Sequence, residues 1–226
     1  MTDIFREVDE DLRRERYKKL WDRFGAYVIA LAVLIVVGVS GYKAWEWWER
    51  TQAAATGDRF LAALELSEGG QHAEAIAALD AVAADGSGDY PVLADFRSAG
   101  ERAAAGDREG AVAAYDAIAA RRGLPLLVGD LARIRAALLL ADTQTPEELR
   151  SRIGDLAQTG NPWRHTAREI LGLAAYRAGD LTGARTYFDE IADDQESAQG
   201  VRQRAQLMLA LIESRQGPAA PDPEEG

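Results

Sequence analysis

The sequence predicts an all-α protein with a single N-terminal transmembrane helix followed by an α-solenoid of about four helix pairs and a capping helix. One observation is an uncharged run of 19 residues near the N-terminus, long enough to cross a bilayer. Another is a motif of Gly, Ala, a large apolar residue and Asp, whose first two copies lie 36 residues apart. A third is that the rest of the chain lacks the alternation of polar and β-branched residues typical of strands. The predicted parts are an arm over 1–23, a transmembrane helix with an aromatic interface over 24–48, a helical domain over 52–217 and a disordered acidic tail over 218–226.

The arm over 1–23 is predicted to be helical and cytoplasmic. Acid-before-base pairs recur in it at i, i+4: Asp9 with Arg13, Glu10 with Arg14 and Glu15 with Lys19. Seven of its residues are Lys or Arg, against three over a similar stretch beyond the apolar run. Basic flanks stay in the cytoplasm, so residues 43–226 are predicted to lie across the membrane, which in a bacterium is the periplasm. The basic cluster either sets topology alone or also contacts anionic lipid headgroups.

The apolar run from Phe24 to Tyr42 predicts one crossing of the membrane. At 1.5 Å per residue it is about 28 Å long, close to the ~30 Å hydrocarbon thickness of a bilayer. Ten of its positions are Phe, Val, Ile or Leu. Tryptophans flank it as they do at membrane interfaces: Trp21 before, and Trp45, Trp47 and Trp48 after. The alternatives are a buried core helix and a signal peptide cleaved near Val39-Ser40-Gly41.

Three copies of one motif predict stacked antiparallel helix pairs. They begin at Gly70, Gly106 and Gly179, each with Ala five residues later. Nine residues after each Gly comes a large apolar side chain followed by Asp: Leu79-Asp80, Tyr115-Asp116 and Phe188-Asp189. The Gly closes one helix with a left-handed cap, the Ala allows close approach, and the large residue fills the groove between helices. One such pair cannot bury its apolar face alone, which is why the unit repeats.

The spacing also predicts a worn copy over 144–157 and the helix boundaries. Its equivalent positions are Leu149, Ile153, Leu156 and Ala157. Four prolines stand where first turns of helices begin, namely Pro91, Pro125, Pro146 and Pro162. Residues 145–148 read Thr-Pro-Glu-Glu, which is a capping box. Residues 201–216 form the capping helix, and the tail is too polar to fold.

Composition excludes several classes of function. Beyond residue 50 the chain contains 17 Lys and Arg against 28 Asp and Glu, and a charge of −11 repels nucleic acid. Without cysteine there is no thiolate nucleophile or thiolate metal site. His72 and His165 are too far apart in sequence for a local metal motif, and we expect both to be surface residues. The acidic cluster of Asp193, Asp194 and Glu196 lacks Ca²⁺-loop spacing and is interpreted as a linker. We expect no catalytic residue, no metal and no cofactor.

The repeat residues resemble the tetratricopeptide repeat (TPR) family over roughly 52–217. The whole layout resembles the ancillary SecYEG translocon subunit family (YfgM-like). That second resemblance rests on the arm DIFREVDEDLRRE from Asp3 and the aromatic exit YKAWEWW from Tyr42. It implies a single-pass protein of the inner (cytoplasmic) membrane with a periplasmic domain beside the SecYEG translocon. Its implied partners are the translocon, a membrane-anchored periplasmic chaperone, and unfolded or translocating client proteins.

The resemblance to TPR proteins also indicates where partners bind. In a TPR stack the first helix of each pair lines the concave face, and its exposed positions are candidate protein-binding residues. Counting back from the closing glycines gives Phe60, Leu64, Leu93, Phe96, Glu169, Leu173, Tyr176 and Arg177. Trp163 is added as a candidate hot spot, because tryptophan is enriched at the centres of interfaces. Alternatively the apolar members pack the core between repeats, and Trp163 staples its helix to a neighbour.

Two functions fit these features. The first is a membrane-tethered periplasmic scaffold or co-chaperone at the translocon, which helps hand translocated proteins to chaperones. The alternative is a TPR assembly factor for an envelope complex of cell-wall or outer-membrane biogenesis. An enzyme is not expected, because no nucleophile and base stand in a recognisable arrangement.

Overall fold

The computed structural model describes residues 3–216, so the predicted acidic tail over 218–226 lies outside the described residues. For residues 3–17, 19–21 and 28 the backbone alone is described. The described part is helical without a strand, which confirms the all-α prediction. Its helices are α1 (Asp3–Glu68), α2 (His72–Asp85), α3 (Tyr90–Ala104), α4 (Arg108–Ala120), α5 (Leu126–Leu140), α6 (Pro146–Ile153) with a 3₁₀ turn (Gly154–Ala157), α7 (Arg164–Ala178), α8 (Leu181–Ala192) and α9 (Gln199–Gln216).

The chain forms two compact units, Met1–Ala55 and Thr56–Gly226. In the first unit, α1 runs through the predicted arm and the uncharged run, and from Asp22 onward it is long and apolar enough to cross a membrane. The apolar side chains of the run are exposed, as Leu34 is at 69%. Such exposure argues against the alternative of a buried core helix. Trp45 and Trp48 lie 5.7 Å apart between ring centroids just beyond the run.

The second unit contains the predicted four helix pairs and the capping helix. The pairs are residues 56–68 of α1 with α2, α3 with α4, α5 with α6 and its 3₁₀ turn, and α7 with α8, and α9 packs on α8. The large residues of the motif are buried, as are all four positions predicted for the worn copy. The predicted repeat is therefore confirmed, and in the worn copy the second helix is only eight residues long before the 3₁₀ turn.

The glycines and aspartates of the motif have separate roles. Gly106 and Gly179 have φ of +88° and +85°, the left-handed conformation predicted for the caps. Asp107 and Asp180 then cap the next helix, each accepting a 2.9 Å hydrogen bond from the backbone N–H three residues later. That third residue is glycine in both copies, and a Cβ at Gly110 would lie 2.1 Å from an Asp107 oxygen. The capping box at Thr145 is also present as predicted.

The interpretation of the acidic cluster as a mere linker is wrong for Asp194. Its Oδ2 accepts hydrogen bonds of 2.8 Å from both Arg164 Nε and His165 Nε2. Arg164 is buried and also bonds Glu196, so the cluster fastens α7 to the segment before α9. These hydrogen bonds hold the pKa of Asp194 far below its usual range. His165 is consequently a partly buried structural residue rather than a surface one.

Candidate protein-binding groove

Four of the predicted contact residues line one groove in the second unit. Phe60 and Leu64 come from α1, and Leu93 and Phe96 come from α3. The groove has a volume of about 760 Å³, within the range of known ligand pockets. Its other lining residues are Asp89, Val92, Arg97, Gly100, Tyr115, Leu124, Pro125, Val128, Leu131 and Arg135. The candidates from the first two helix pairs therefore share a mainly apolar surface.

The two long walls of the groove are formed by α3 and α5, and in each the lining residues repeat at helical spacing. Leu93, Phe96 and Gly100 follow one another at spacings of three and four, so they share one face of α3. Val128, Leu131 and Arg135 repeat that spacing on α5, and Leu124 precedes them by one more turn. The first helices α3 and α5 therefore each present a mainly apolar stripe to the groove.

Tyr115 forms the floor of the groove. It comes from α4, is 6% exposed and lies 6.0 Å from Phe96 between ring centroids. Burial raises the pKa of Tyr115 above its ordinary value of 10.0, although the charges of Arg135 and Arg97 act in the opposite direction. The hydroxyl is therefore protonated at neutral pH and can donate a hydrogen bond into the groove.

Arg97 connects the groove wall to a buried polar network around Glu101. Glu101 Oε1 accepts a 2.6 Å hydrogen bond from Ser67 and lies 2.9 Å from the Arg97 guanidinium. Glu101 Oε2 lies 2.7 Å from His72 Nδ1, so His72 is not the simple surface residue that the sequence predicts. Burial alone would raise the pKa of Glu101, but the bonds from Ser67 and His72 and the charge of Arg97 outweigh it, and the net pKa is lowered.

We expect Glu101→Gln to destabilise the protein at pH 7 and much less at pH 3. Because the folded-state pKa is lowered, the contribution of Glu101 is present above its ordinary pKa of 4.5 and lost as the pH falls through the folded-state value. Because the variant leaves Arg97 and His72 without their carboxylate, we expect the free energy of unfolding at pH 7 to fall by roughly 1–3 kcal/mol. Thermal midpoints by circular dichroism between pH 7 and pH 3 measure this. The control is Glu109→Gln, at an exposed position of α4. If the thermal midpoints of both variants changed with pH in the same way, the role of Glu101 would be contradicted.

Comparison with known proteins agrees with this architecture. Residues 18–214 match the tetratricopeptide repeat-like domain family, which is well over half of the chain. The chain belongs to that family. No curated protein and no solved structure matches it significantly. The matched range includes the uncharged run over 24–42 as well as the TPR-like helix pairs.

Three candidates on α7 of the TPR-like domain already have partners within the chain. Glu169 accepts from Arg204 of α9 at 2.6 and 2.9 Å, and the guanidinium of Arg215 lies 4.8 Å from the ring centroid of Tyr176. Arg177 donates to the backbone oxygen of Gln144. The capping helix thus contacts positions that an open TPR-like stack would leave free.

Leu173 and Trp163 also lie outside the groove. Leu173 is exposed on α7. Trp163 is half-buried against the core, and its Nε1 donates a 3.3 Å hydrogen bond to the backbone oxygen of Leu127. This contact joins the start of α7 to α5, as the stapling alternative for Trp163 predicts. Of the nine candidates, the four from the first two helix pairs are therefore the ones that the fold brings together.

Sequence reasoning missed the α5 wall of the groove. The closing glycines of the three clear copies locate the first helices of those copies only. The helix α5 is the first helix of the worn copy, so no closing glycine pointed to it. The signal was nevertheless present, since Leu124, Val128 and Leu131 recur at helical spacing directly after Gly123. Among the residues whose side chains the structure describes, no three His, Asp or Glu are grouped so as to hold a metal ion.

Proposed function

We propose that the protein is a membrane-anchored interaction scaffold whose groove binds extended apolar segments of other proteins. The observation that carries this proposal is the mainly apolar groove, to which three successive helix pairs contribute side chains. TPR-like domains mediate protein–protein interactions, and apolar pockets for successive side chains are how extended segments are bound. Exposed Leu93 and half-buried Phe60, Leu64 and Phe96 are available for such contacts.

We further propose where the scaffold works. The excess of basic residues before the uncharged run supports a cytoplasmic N-terminus, an anchor in the inner membrane and a periplasmic TPR-like domain. The resemblance to the ancillary SecYEG translocon subunit family supports a position beside that channel. There the groove would bind apolar segments of clients as they emerge and release them to a membrane-anchored periplasmic chaperone. Binding of unfolded clients requires no catalytic residue, only reversible burial of apolar surface.

Site-specific photocrosslinking in intact cells tests this role. A photoreactive amino acid at Leu93 should crosslink to newly exported chains and to channel subunits. The matched control is the same probe at Leu211, a leucine of α9 that is 49% exposed against 51% for Leu93. Identical products from both positions would rule out the groove as the binding site. Products limited to cell-wall or outer-membrane assembly proteins would instead support the alternative of an envelope assembly factor.

A further inference from the structure

The floor of the groove contains a hydroxyl group without a hydrogen-bond partner. Tyr115 is 6% exposed, and among the residues whose side chains are described none is hydrogen-bonded to its hydroxyl. The hydroxyl lies beside Gly100 of α3, 3.6 Å from the position that a Cβ would take there. The hydroxyl faces the groove, where a bound ligand can accept its hydrogen bond.

One arginine at the same end of the groove is also without a counterion. Arg135 is exposed, and no carboxylate of the described residues forms an ion pair with it, whereas Arg133 is paired with Asp155 at 2.5 Å. Arg97 is neutralised by Glu101. Asp89 also lines the groove, but it lies eleven residues before Gly100, about 16 Å away along α3. The Tyr115 end of the groove therefore carries a net positive charge in a domain that is strongly acidic overall.

We propose that the groove selects extended segments in which an acidic side chain stands between apolar ones. The apolar neighbours lie against the stripes of α3 and α5. The carboxylate accepts hydrogen bonds from the hydroxyl of Tyr115 and the guanidinium of Arg135. This inference deepens the proposed function and rests on it, because it names the chemistry of the segments that the scaffold binds.

Charge complementarity is the reason for choosing an acidic segment. A carboxylate can accept from both donors at once, and charge-assisted hydrogen bonds are about twice as strong as neutral ones. A basic side chain would place like charges together at Arg135, and a neutral apolar side chain would leave the hydroxyl unpaired. The groove as a whole remains apolar, so the acid adds selectivity to binding that burial of apolar side chains provides.

The test uses the full chain in lipid nanodiscs and two fluorescent nonapeptides. Both peptides consist of Leu, Val and Ser and differ only at the central residue, which is Asp in one and Asn in the other. Binding is followed by fluorescence anisotropy, with empty nanodiscs subtracted. We expect the Asp peptide to bind about tenfold more tightly than the Asn peptide, because it gains charge-assisted hydrogen bonds.

Variants of the two donors separate the carboxylate subsite from the groove. Arg135→Gln should abolish the preference for Asp, so that the two peptides bind with equal affinity. Tyr115→Phe, which keeps the buried ring, should reduce the preference several-fold. Arg108→Gln is the control, since Arg108 is exposed at the start of α4 and does not line the groove. Far-ultraviolet circular dichroism checks that each variant is folded.

Each alternative outcome has a distinct meaning. Equal affinities for the two peptides, or a preference that survives in Arg135→Gln, would overturn the carboxylate subsite and leave the proposed function standing. If neither peptide bound, both the carboxylate subsite and the proposed function would be overturned. Arg135-dependent binding of fluorescent dodecanoate together with absence of peptide binding would assign the site to a fatty acid instead, and would also overturn both.

Discussion

Replacing Phe188 with alanine is expected to lower the free energy of unfolding by about 3–5 kcal/mol, the usual cost of truncating a buried phenylalanine. Phe188 is 1% exposed and fills the space between α7 and α8. Its ring lies 3.0 Å from the position that a Cβ would take at Gly172, so the two helices are in close contact there. The cavity left by the ring cannot close easily, because Ala175 and Ile191 on either side are themselves fully packed.

Urea unfolding of the full chain in detergent micelles, followed by circular dichroism at 222 nm, measures this effect. Leu207→Ala is the matched control, because Leu207 is 67% exposed on α9 and its truncation should change stability by within about 0.5 kcal/mol. Similar unfolding midpoints for Phe188→Ala and the control would mean that Phe188 does not fill the groove between helices. The assignment of its motif position in the other copies would then fail as well.

Much of the fold could be predicted because a helix pair is a local structure. Gly106, Ala111 and Tyr115 lie within ten residues of one another, and their roles follow from the geometry of one turn and the helix after it. The same geometry recurs at Gly179, Ala184 and Phe188, so each copy tests the interpretation of the others. Even the worn copy, where Leu149 replaces the small alanine, buries the position that the alignment predicts.

The ion pairs between repeats could not be predicted, because their partners lie far apart in sequence. Asp194 seemed part of an acidic linker, and only the fold shows that Arg164 and His165 approach it from 30 and 29 positions away. Glu101 likewise looks like an ordinary helical acid until His72 and Ser67 are placed beside it. Composition states how many charges there are, whereas their pairing depends on how successive repeats stack.

Only the candidate residues of the first two helix pairs could be predicted correctly, because the others depend on contacts with helices far away in sequence. Phe60 and Phe96 follow from the rule that first helices line the concave face, and that rule needs only the repeat. Whether a first helix is covered depends on the helices that come after it in the stack. On α7, Glu169 and Tyr176 meet Arg204 and Arg215 of the capping helix, whose register against α7 no local pattern indicates. The groove therefore lies toward the first repeats, away from the capped end.

Tyr115 shows how one repeat position serves both packing and recognition. The equivalent residues Leu79 and Phe188 are wholly apolar and only fill the space between helices. Tyrosine at the middle copy packs the same way but adds a hydroxyl at the groove floor, opposite Gly100. A polar group is tolerated there because the groove gives it access to a partner that the core would not supply. The repeat architecture thus leaves one buried position free to vary in polarity.

Two arginines in the centre of the uncharged run are expected to abolish membrane anchoring. Replacing Val33 and Leu34 by Arg should make insertion less favourable by roughly 6–8 kcal/mol, since a central Arg costs about 2.5–3.5 kcal/mol and each apolar residue contributes roughly −0.3 to −0.6. The ten strongly apolar residues of the run together contribute only roughly −3 to −6 kcal/mol on that scale. We expect the wild-type chain in the carbonate-resistant membrane fraction and the double variant outside it.

The same experiment decides the topology when alkaline phosphatase is fused after residue 226, because that reporter is active only in the periplasm. It should be active in the wild type and inactive in the Val33→Arg, Leu34→Arg double variant. Arginine at Leu207 and Leu211, both exposed on α9, provides a control with equal added charge that should leave anchoring and reporter activity unchanged. An inactive wild-type reporter would place the groove in the cytosol, where exported chains are not delivered. Loss of an N-terminal epitope from an otherwise periplasmic chain would instead identify the run as a cleaved signal peptide, and the groove would then act without a tether.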